Sequence, residues 1–202
     1  MRRMSICLAV VCCVIFLGAL IVSTHVLAQQ SKEDKEKQEK ADKQRKEIRK
    51  NTKEILAQLY KAQPSAKAAI EKAAGYAVFS NFGMKILALG SGTGKGVAVE
   101  NKTKKETFMK MFEIQAGLGF GVKKFRLIWV FETPETLGTF INSGWELGGQ
   151  TSVAAKAGEK GASIQGALYV APGIWVYQLT DKGVALELTA KGTKYYKDDD
   201  LN

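Results

Sequence analysis

The sequence predicts a mainly β domain with flanking α (α+β class): a strongly curved or barrel-like antiparallel sheet, preceded by an N-terminal helical segment. Three observations carry this. Nineteen of the 20 glycines lie between Gly75 and Gly192. Over that stretch Val, Ile, Thr and aromatic residues come in short runs separated by turn signals. The residues before Ile55 instead place acids and bases at helical spacing, with almost no glycine.

The elements follow in chain order. Residues 1–28 read as a secretory signal, with Arg2 and Arg3 as the charged start and Ile6–Val22 as the apolar core. Val26-Leu27-Ala28 offers a small-residue cleavage site. The alternative is an uncleaved anchor, since about 17 apolar residues lie near the lower limit for spanning a bilayer. The expectation is export to the periplasm or the outside, with possible membrane association. Cleavage after Ala28 would remove Cys7, Cys12, Cys13 and His25, which are every Cys and the only His. Such a mature chain has no disulfide, no Cys nucleophile, no His base and no Cys/His zinc site. It keeps 28 basic and 20 acidic residues, a formal charge of +8.

Residues 29–54 read as a charged helical spacer. Ser31–Glu54 holds ten bases and seven acids. Glu33/Lys37, Glu36/Lys40, Glu39/Lys43 and Asp42/Lys46 are acid then base at four-residue spacing, which supports an exposed helix. Ile48, Ile55, Leu56 and Leu59 then form one apolar helical face. Gln63-Pro64-Ser65 breaks it, and a short helix over Ala66–Ala74, ended by Gly75, follows.

Residues 55–202 form the domain. Ser80-Asn81-Phe82-Gly83, Glu100-Asn101-Lys102-Thr103, Gly158-Glu159-Lys160-Gly161, Ala171-Pro172-Gly173 and Asp181-Lys182-Gly183 read as turns. Strands are expected near Tyr76–Ser80, Met84–Ser91, Gly96–Glu100, Thr107–Phe120, Lys124–Glu132, Trp145–Lys156, Ser163–Tyr169, Ile174–Thr180 and Val184–Lys191. One helix is expected at Pro134–Ser143, with Thr133 as its cap and Gly144 beyond its end. Leu127–Phe131 and Ile174–Tyr177 are apolar at every position, so both strands need cover on two faces.

No nucleotide loop is present. Gly90-Ser91-Gly92-Thr93-Gly94-Lys95-Gly96 lacks the glycine at 89 and the Ser/Thr at 96 that a P-loop needs. Its glycines repeat every two residues, as do Gly117, Gly119 and Gly121. In a strand that period bares one face. The expectation is a sharp bend or tight packing, and the functional alternative is room for a ligand chain on bare backbone. Glu113, Glu132, Glu146 and Glu187 lie in or beside strands, which leaves a carboxylate hydrolase as a third reading. Asp198-Asp199-Asp200 reads as a solvated tail.

The chain also resembles a known family. Ala73–Asn81, Gly90–Gly96, Gln115–Gly119, Ser143–Gln150 and Gly192–Tyr196 are similar to the SYLF domain, in the right order, from about Ser65 to the end. A secretory leader, charged spacer and single domain resemble the family's exported bacterial branch. The resemblance implies lipid binding; eukaryotic members bind phosphoinositides, and some bind actin. It implies no catalytic set and no cofactor. It carries a lipid-binding basic helix onto Lys67, Ile70 and Lys72. The residues themselves add Lys85, Lys123, Lys124 and Arg126 as a basic rim, and Leu127, Trp129 and Trp175 as apolar surface for acyl chain or bilayer. The reading is a non-enzymatic domain for anionic phospholipid or a membrane surface, with no metal and no nucleic acid partner. The alternative is a structural or protein-interaction module of the cell envelope.

Overall fold

In a computed structural model, the backbone is described for residues 2–86, 89–116, 121–147, 164–181, 183–185 and 193–202. Side chains are described for residues 32–80, 93–112, 126–146, 164–181, 183–185 and 193–202. A long helix α1 (Arg2–Ala62) is followed by α2 (Ser65–Lys72). Then come β1 (Gly75–Ile86), β2 (Leu89–Glu100), β3 (Glu106–Ala116), β4 (Gly121–Phe131) and α3 (Pro134–Asn142). Short strands β5 (Trp145–Leu147), β6 (Leu168–Ala171), β7 (Ile174–Thr180), β8 (Gly183–Ala185) and β9 (Thr193–Lys197) complete the described chain. The chain divides into two compact units, Met1–Gln44 and Arg45–Asn202. The second therefore takes in Arg45–Glu54, ten residues that the charge pattern assigns to the spacer.

The strands form one antiparallel sheet in the order β5-β9-β3-β2-β1-β4-β7-β6, with β8 on β7. It curls into a half-barrel. Among the described residues no helix is long and apolar enough to cross a membrane.

The sheet has an apolar layer on each face, as its two all-apolar strands require. On β4, Leu127, Trp129 and Phe131 join Phe79, Met109, Met111 and Tyr195 under Leu137 and Phe140 of α3. Ile128 and Val130 point the other way, to Ile55, Leu59 and Ile70 of α1 and α2. These are the α3 face and the α1 face. Within the second unit α1 runs across the strands. Arg45 Nε donates to the Leu201 carbonyl at 2.8 Å. Arg49 pairs with Glu106 at 2.7 Å and stands 5.2 Å from the Phe108 ring centroid. Leu59 packs in the cluster of Tyr177 and Leu179, and Gln63 lies against Gly166 near the opposite edge.

Several expectations change. Ser80–Gly83 is no turn but the middle of β1, because Asn81 pairs with Gly94 on one side and Phe125 on the other. Gly75 does not end α2. It opens β1, where a Cβ would meet Val99 O at 2.5 Å and Leu137 Cδ2 at 2.6 Å. The strand expected at Ser163–Tyr169 starts at Leu168, because Ile164–Ala167 is a turn with Gly166 at φ +80° and an Ala167 N–H to Ile164 carbonyl bond of 3.0 Å. Trp145–Lys156 and Val184–Lys191 are strand at Trp145–Leu147 and Gly183–Ala185. Residues 148–163 and 186–192 lie outside the described residues, as do Gly117, Gly119 and the turn at Gly158–Gly161.

Asp198–Asp200 is not a solvated tail either. Asp198 is fully buried, and Lys110 Nζ pairs with its Oδ1 at 2.8 Å and with Asp200 at 3.1 Å. The hydrogen bond to Asp198 holds the Lys110 ammonium above its ordinary pKa. The Asn202 amide accepts from Phe108 N–H at 2.9 Å and donates to Phe108 O at 2.8 Å, extending the ladder with a side chain. Leu201 is buried between these bonds. The turn satisfies edge groups of β3 that would otherwise lack partners, and that anchors it.

The glycine stripe of β2 is a packing device where it is described. A Cβ at Gly94 would meet Met111 Cγ and the Ser80 carbonyl at 2.6 Å, and one at Gly96 would run into Val78 O and the Phe79 ring. Gly96→Ala should therefore cost about 1–3 kcal/mol in urea unfolding, whereas Gly138→Ala, with nothing within 4 Å of its Cβ, should stabilise α3 by about 0.5–1 kcal/mol. A second prediction concerns alkali. Burial pushes the Tyr177 phenol up to about 12 from 10. The folded state thus holds its proton more tightly than the unfolded chain. That contribution is full below pH 10 and lost as pH rises through 12. Tyr177→Phe should flatten the loss of stability in this window, read by unfolding at fixed pH.

Candidate functional site

α2 is short, and its end is finished by another part of the chain. Asn101, at the end of β2, donates from Nδ2 to the carbonyls of Ile70 at 2.6 Å and Ala73 at 2.8 Å. Its own backbone N–H donates to the Ala74 carbonyl at 2.9 Å. Carbonyls at a helix C-terminus lack intrahelical partners, so one amide both caps α2 and fastens the β2–β3 hairpin beneath it. The hairpin is tied internally. Lys104 N–H donates to Glu100 O at 2.9 Å, and Thr103 Oγ1 donates to the Glu100 carboxylate at 2.5 Å. Lys104 takes a left-handed φ of +59°.

The result is a cationic corner. Lys72 ends α2, and Lys102, Lys104 and Lys105 line the hairpin; all four are exposed. None of the four makes an ion pair among the described residues. Lys67, one turn earlier on α2, is exposed and stands 4.0 Å from Glu71. An aromatic pair lies on the same face. Tyr169, 37 % exposed, packs edge-on against Trp175 at 5.3 Å between centroids. Trp175 shares a cluster with Ile70, and its Nε1 donates to Glu132 at 3.0 Å.

The cations singled out from sequence do not make one rim. Lys67 and Lys72 precede the start of β1, whereas Lys85 lies near its end, roughly 30 Å further along the strand from Tyr76. The register brings Lys85 beside Lys123 and Lys124: Lys85 pairs with Gly121, Gly83 with Lys123, and Phe82 with Lys124. The side chains of Lys85, Lys123 and Lys124 lie outside the described residues. Arg126, in line with them on β4, is half-buried and 3.7 Å from Asp181. The apolar candidates are interior. Leu127 and Trp129 have no exposed surface and Trp175 is 8 % exposed. Their role is core packing, because both faces of the sheet are covered where they stand.

Asn101 is the residue that sequence reading passed over. Its Asn-Lys-Thr setting marks a turn, and nothing local reveals that its amide reaches α2. Of the acids considered for hydrolysis, Glu132 and Glu146 are exposed, and Glu113 and Glu187 lie outside the described side chains. Among the described residues no group of acids has metal-ligand geometry. Asn101→Ala should remove both helix-end bonds, costing about 1–3 kcal/mol. Hydrogen exchange should then speed up in residues 65–74 and 101–105 while the centres of β1 and β4 stay protected.

Comparison with known proteins points to a family. Residues 112–202 match the family model Ysc84, described as Las17-binding protein actin regulator. Over 148 residues, 72 % of the chain, the sequence is 36 % identical to Beta cell expansion factor A of Aeromonas veronii. The chain spans about half the length of that relative, 54 %. With the ordered motifs and the half-barrel that they build, these matches place the chain in the SYLF family, whose model is Ysc84.

Proposed function

We propose that this SYLF domain is an exported, non-enzymatic module that binds anionic phospholipid at a membrane surface. One observation carries the reading: Lys72, Lys102, Lys104 and Lys105 are exposed, without ion pairs among the described residues, and fixed on one corner by Asn101. A rigid cluster of like charges is costly for a monomer to keep unless an anionic surface offsets it. Each lysine close to such a surface contributes about 1 kcal/mol. Tyr169, beside Trp175, supplies an aromatic group of the kind that settles at the headgroup level. Membership in a family that relates to lipid and actin binding in eukaryotes supports the same class of ligand. Residues 55–202 hold 18 bases and 13 acids, an excess in the same direction.

The corner replaces the interior strand residues as the contact surface. It also accounts for binding without a strongly apolar helix, since α2 buries Ile70 and Ala66 in the domain rather than offering them to lipid.

Flotation with phosphatidylcholine vesicles, with and without phosphatidylglycerol, tests this. The protein should float with the anionic vesicles alone and release at high salt, because the Debye length falls from about 10 Å to about 3 Å between 0.1 and 1 M. Replacing Lys72, Lys102, Lys104 and Lys105 by Gln should weaken binding at least about tenfold and flatten its salt dependence. Neutralising Lys123, Lys124 and Arg126 is the comparison. If that triple variant alone lost binding, the site would lie at the other end of β1. Equal flotation with both vesicle types, or none, would end the lipid reading and favour a protein partner in the envelope.

A further inference from the structure

Among the described residues, Trp129 Nε1, Trp145 Nε1 and Thr193 Oγ1 of the α3 face are buried and find no hydrogen-bond partner. They surround one side chain. The Trp129 and Tyr195 rings are 5.0 Å apart between centroids. Trp145 is the register partner of Tyr195 across β5 and β9. Thr193 is two residues before Tyr195 on β9, and the pattern of burial along the strand puts both on its buried side. Thr193 and Trp129 have no exposed surface.

Buried groups left this way are rare and costly, and three around one ring call for an explanation. An indole N–H only donates, so the missing partner is an acceptor and not a cation or a metal. Its charge is constrained too. Asp198 is the one charged residue buried among the described residues, and it is paired with Lys110. Among the described residues no counter-charge stands here for an ionised carboxylate or phosphate, which would then pay heavily for desolvation. A neutral carbonyl oxygen fits.

The surroundings suit an attached hydrocarbon. Phe79, Met109, Met111 and Leu127 line the same face. Met111 lies over Gly94, its Cγ and Sδ 2.6 and 2.8 Å from where a Cβ would be. A flexible thioether side chain can leave that place more readily than a branched one. Swinging it aside would bare the backbone of β2 at Gly94.

We propose that the α3 face takes the acyl-ester end of a lipid, its carbonyl oxygen accepting from Trp129, Trp145 and Thr193 and its chain lying in the place of Met111 along Gly94. The proposal takes its ligand class from the lipid reading above but uses a different face of the sheet from the lysine corner.

The test uses protein recovered without detergent from cells producing the full chain. The probes are a monoacylglycerol brominated on its chain and a brominated alkane of equal length without the ester. Tryptophan emission should be quenched to saturation at one monoacylglycerol per chain. Quenching should persist in Trp175→Phe, because Trp175 packs in the cluster of the α1 face. Trp129→Phe and the isosteric Thr193→Val should each weaken the ester probe by about tenfold and leave the alkane unchanged. A merely structural role would move both probes together. Three results would overturn the proposal: no quenching, quenching that vanishes in Trp175→Phe, or ester binding unaltered by both variants, which is what an ordered water as the partner would give. Flotation on the same samples separates the two readings. Vesicle binding without ester binding would leave the corner standing and remove this site. Ester binding without flotation would do the reverse.

Discussion

The structure depends on a sheet whose central strands are apolar on both sides. β1 and β4 send Phe79, Leu127 and Trp129 one way and Val78, Ile128 and Val130 the other. A strand of that kind is stable only between two layers. α3 forms one layer, and α2 with the end of α1 forms the other. The positions of all three helices follow from this need. So does the docking of Arg45–Ala62, a segment whose exposed side is as charged as the helix before it but whose inner side carries Ile48, Ile55 and Leu59.

Curvature has its own chemical origin. The α3 face packs Phe79, Trp129, Phe131, Phe140 and Tyr195 in mutual contact, with ring centroids 4.8 to 6.5 Å apart. β2 makes room for that volume by carrying glycine at 94 and 96. Side chains of neighbouring strands lean into the space, so the stripe is filled by Phe79 and Met111 instead of standing open. The edge of the sheet is closed by similar economy. The side chain of Asn202 completes the ladder at Phe108, and the buried pair of Asp198 and Lys110 holds the turn in place.

Polar chemistry is sorted by these layers. The lysines of the corner stand at the end of α2 and on the β2–β3 hairpin, where water or an anionic surface can reach them. Among the described residues the buried polar groups of the α3 face are neutral, and Trp129 Nε1, Trp145 Nε1 and Thr193 Oγ1 lack partners among the aromatic rings. The two regions thus differ in the ligand chemistry they favour: charge at the corner, a neutral acceptor inside. They are separated by the thickness of the sheet, so each can be altered without disturbing the other.

The sequence by itself determined the class of fold, the helix break at Pro64, the Thr133 cap and Gly144 stop of α3, the apolar strands and the family. Each of these rests on local chemistry or on periodicity, which a linear reading captures. The middle of β1 was misread because Asn81 and Gly83 have turn chemistry, and only pairing with strands on both sides makes them extended. The fate of the basic residues was equally hidden. Lys72 and Lys102 are 30 positions apart in the chain and meet through one amide of Asn101, whereas Lys72 and Lys85, much closer in sequence, end up at opposite ends of a strand. Asp198 looks like a solvent-facing acid until Lys110 and the edge of β3 enclose it. Tertiary structure decided these points because burial and pairing depend on which segments become neighbours, and that is set by the whole sheet at once.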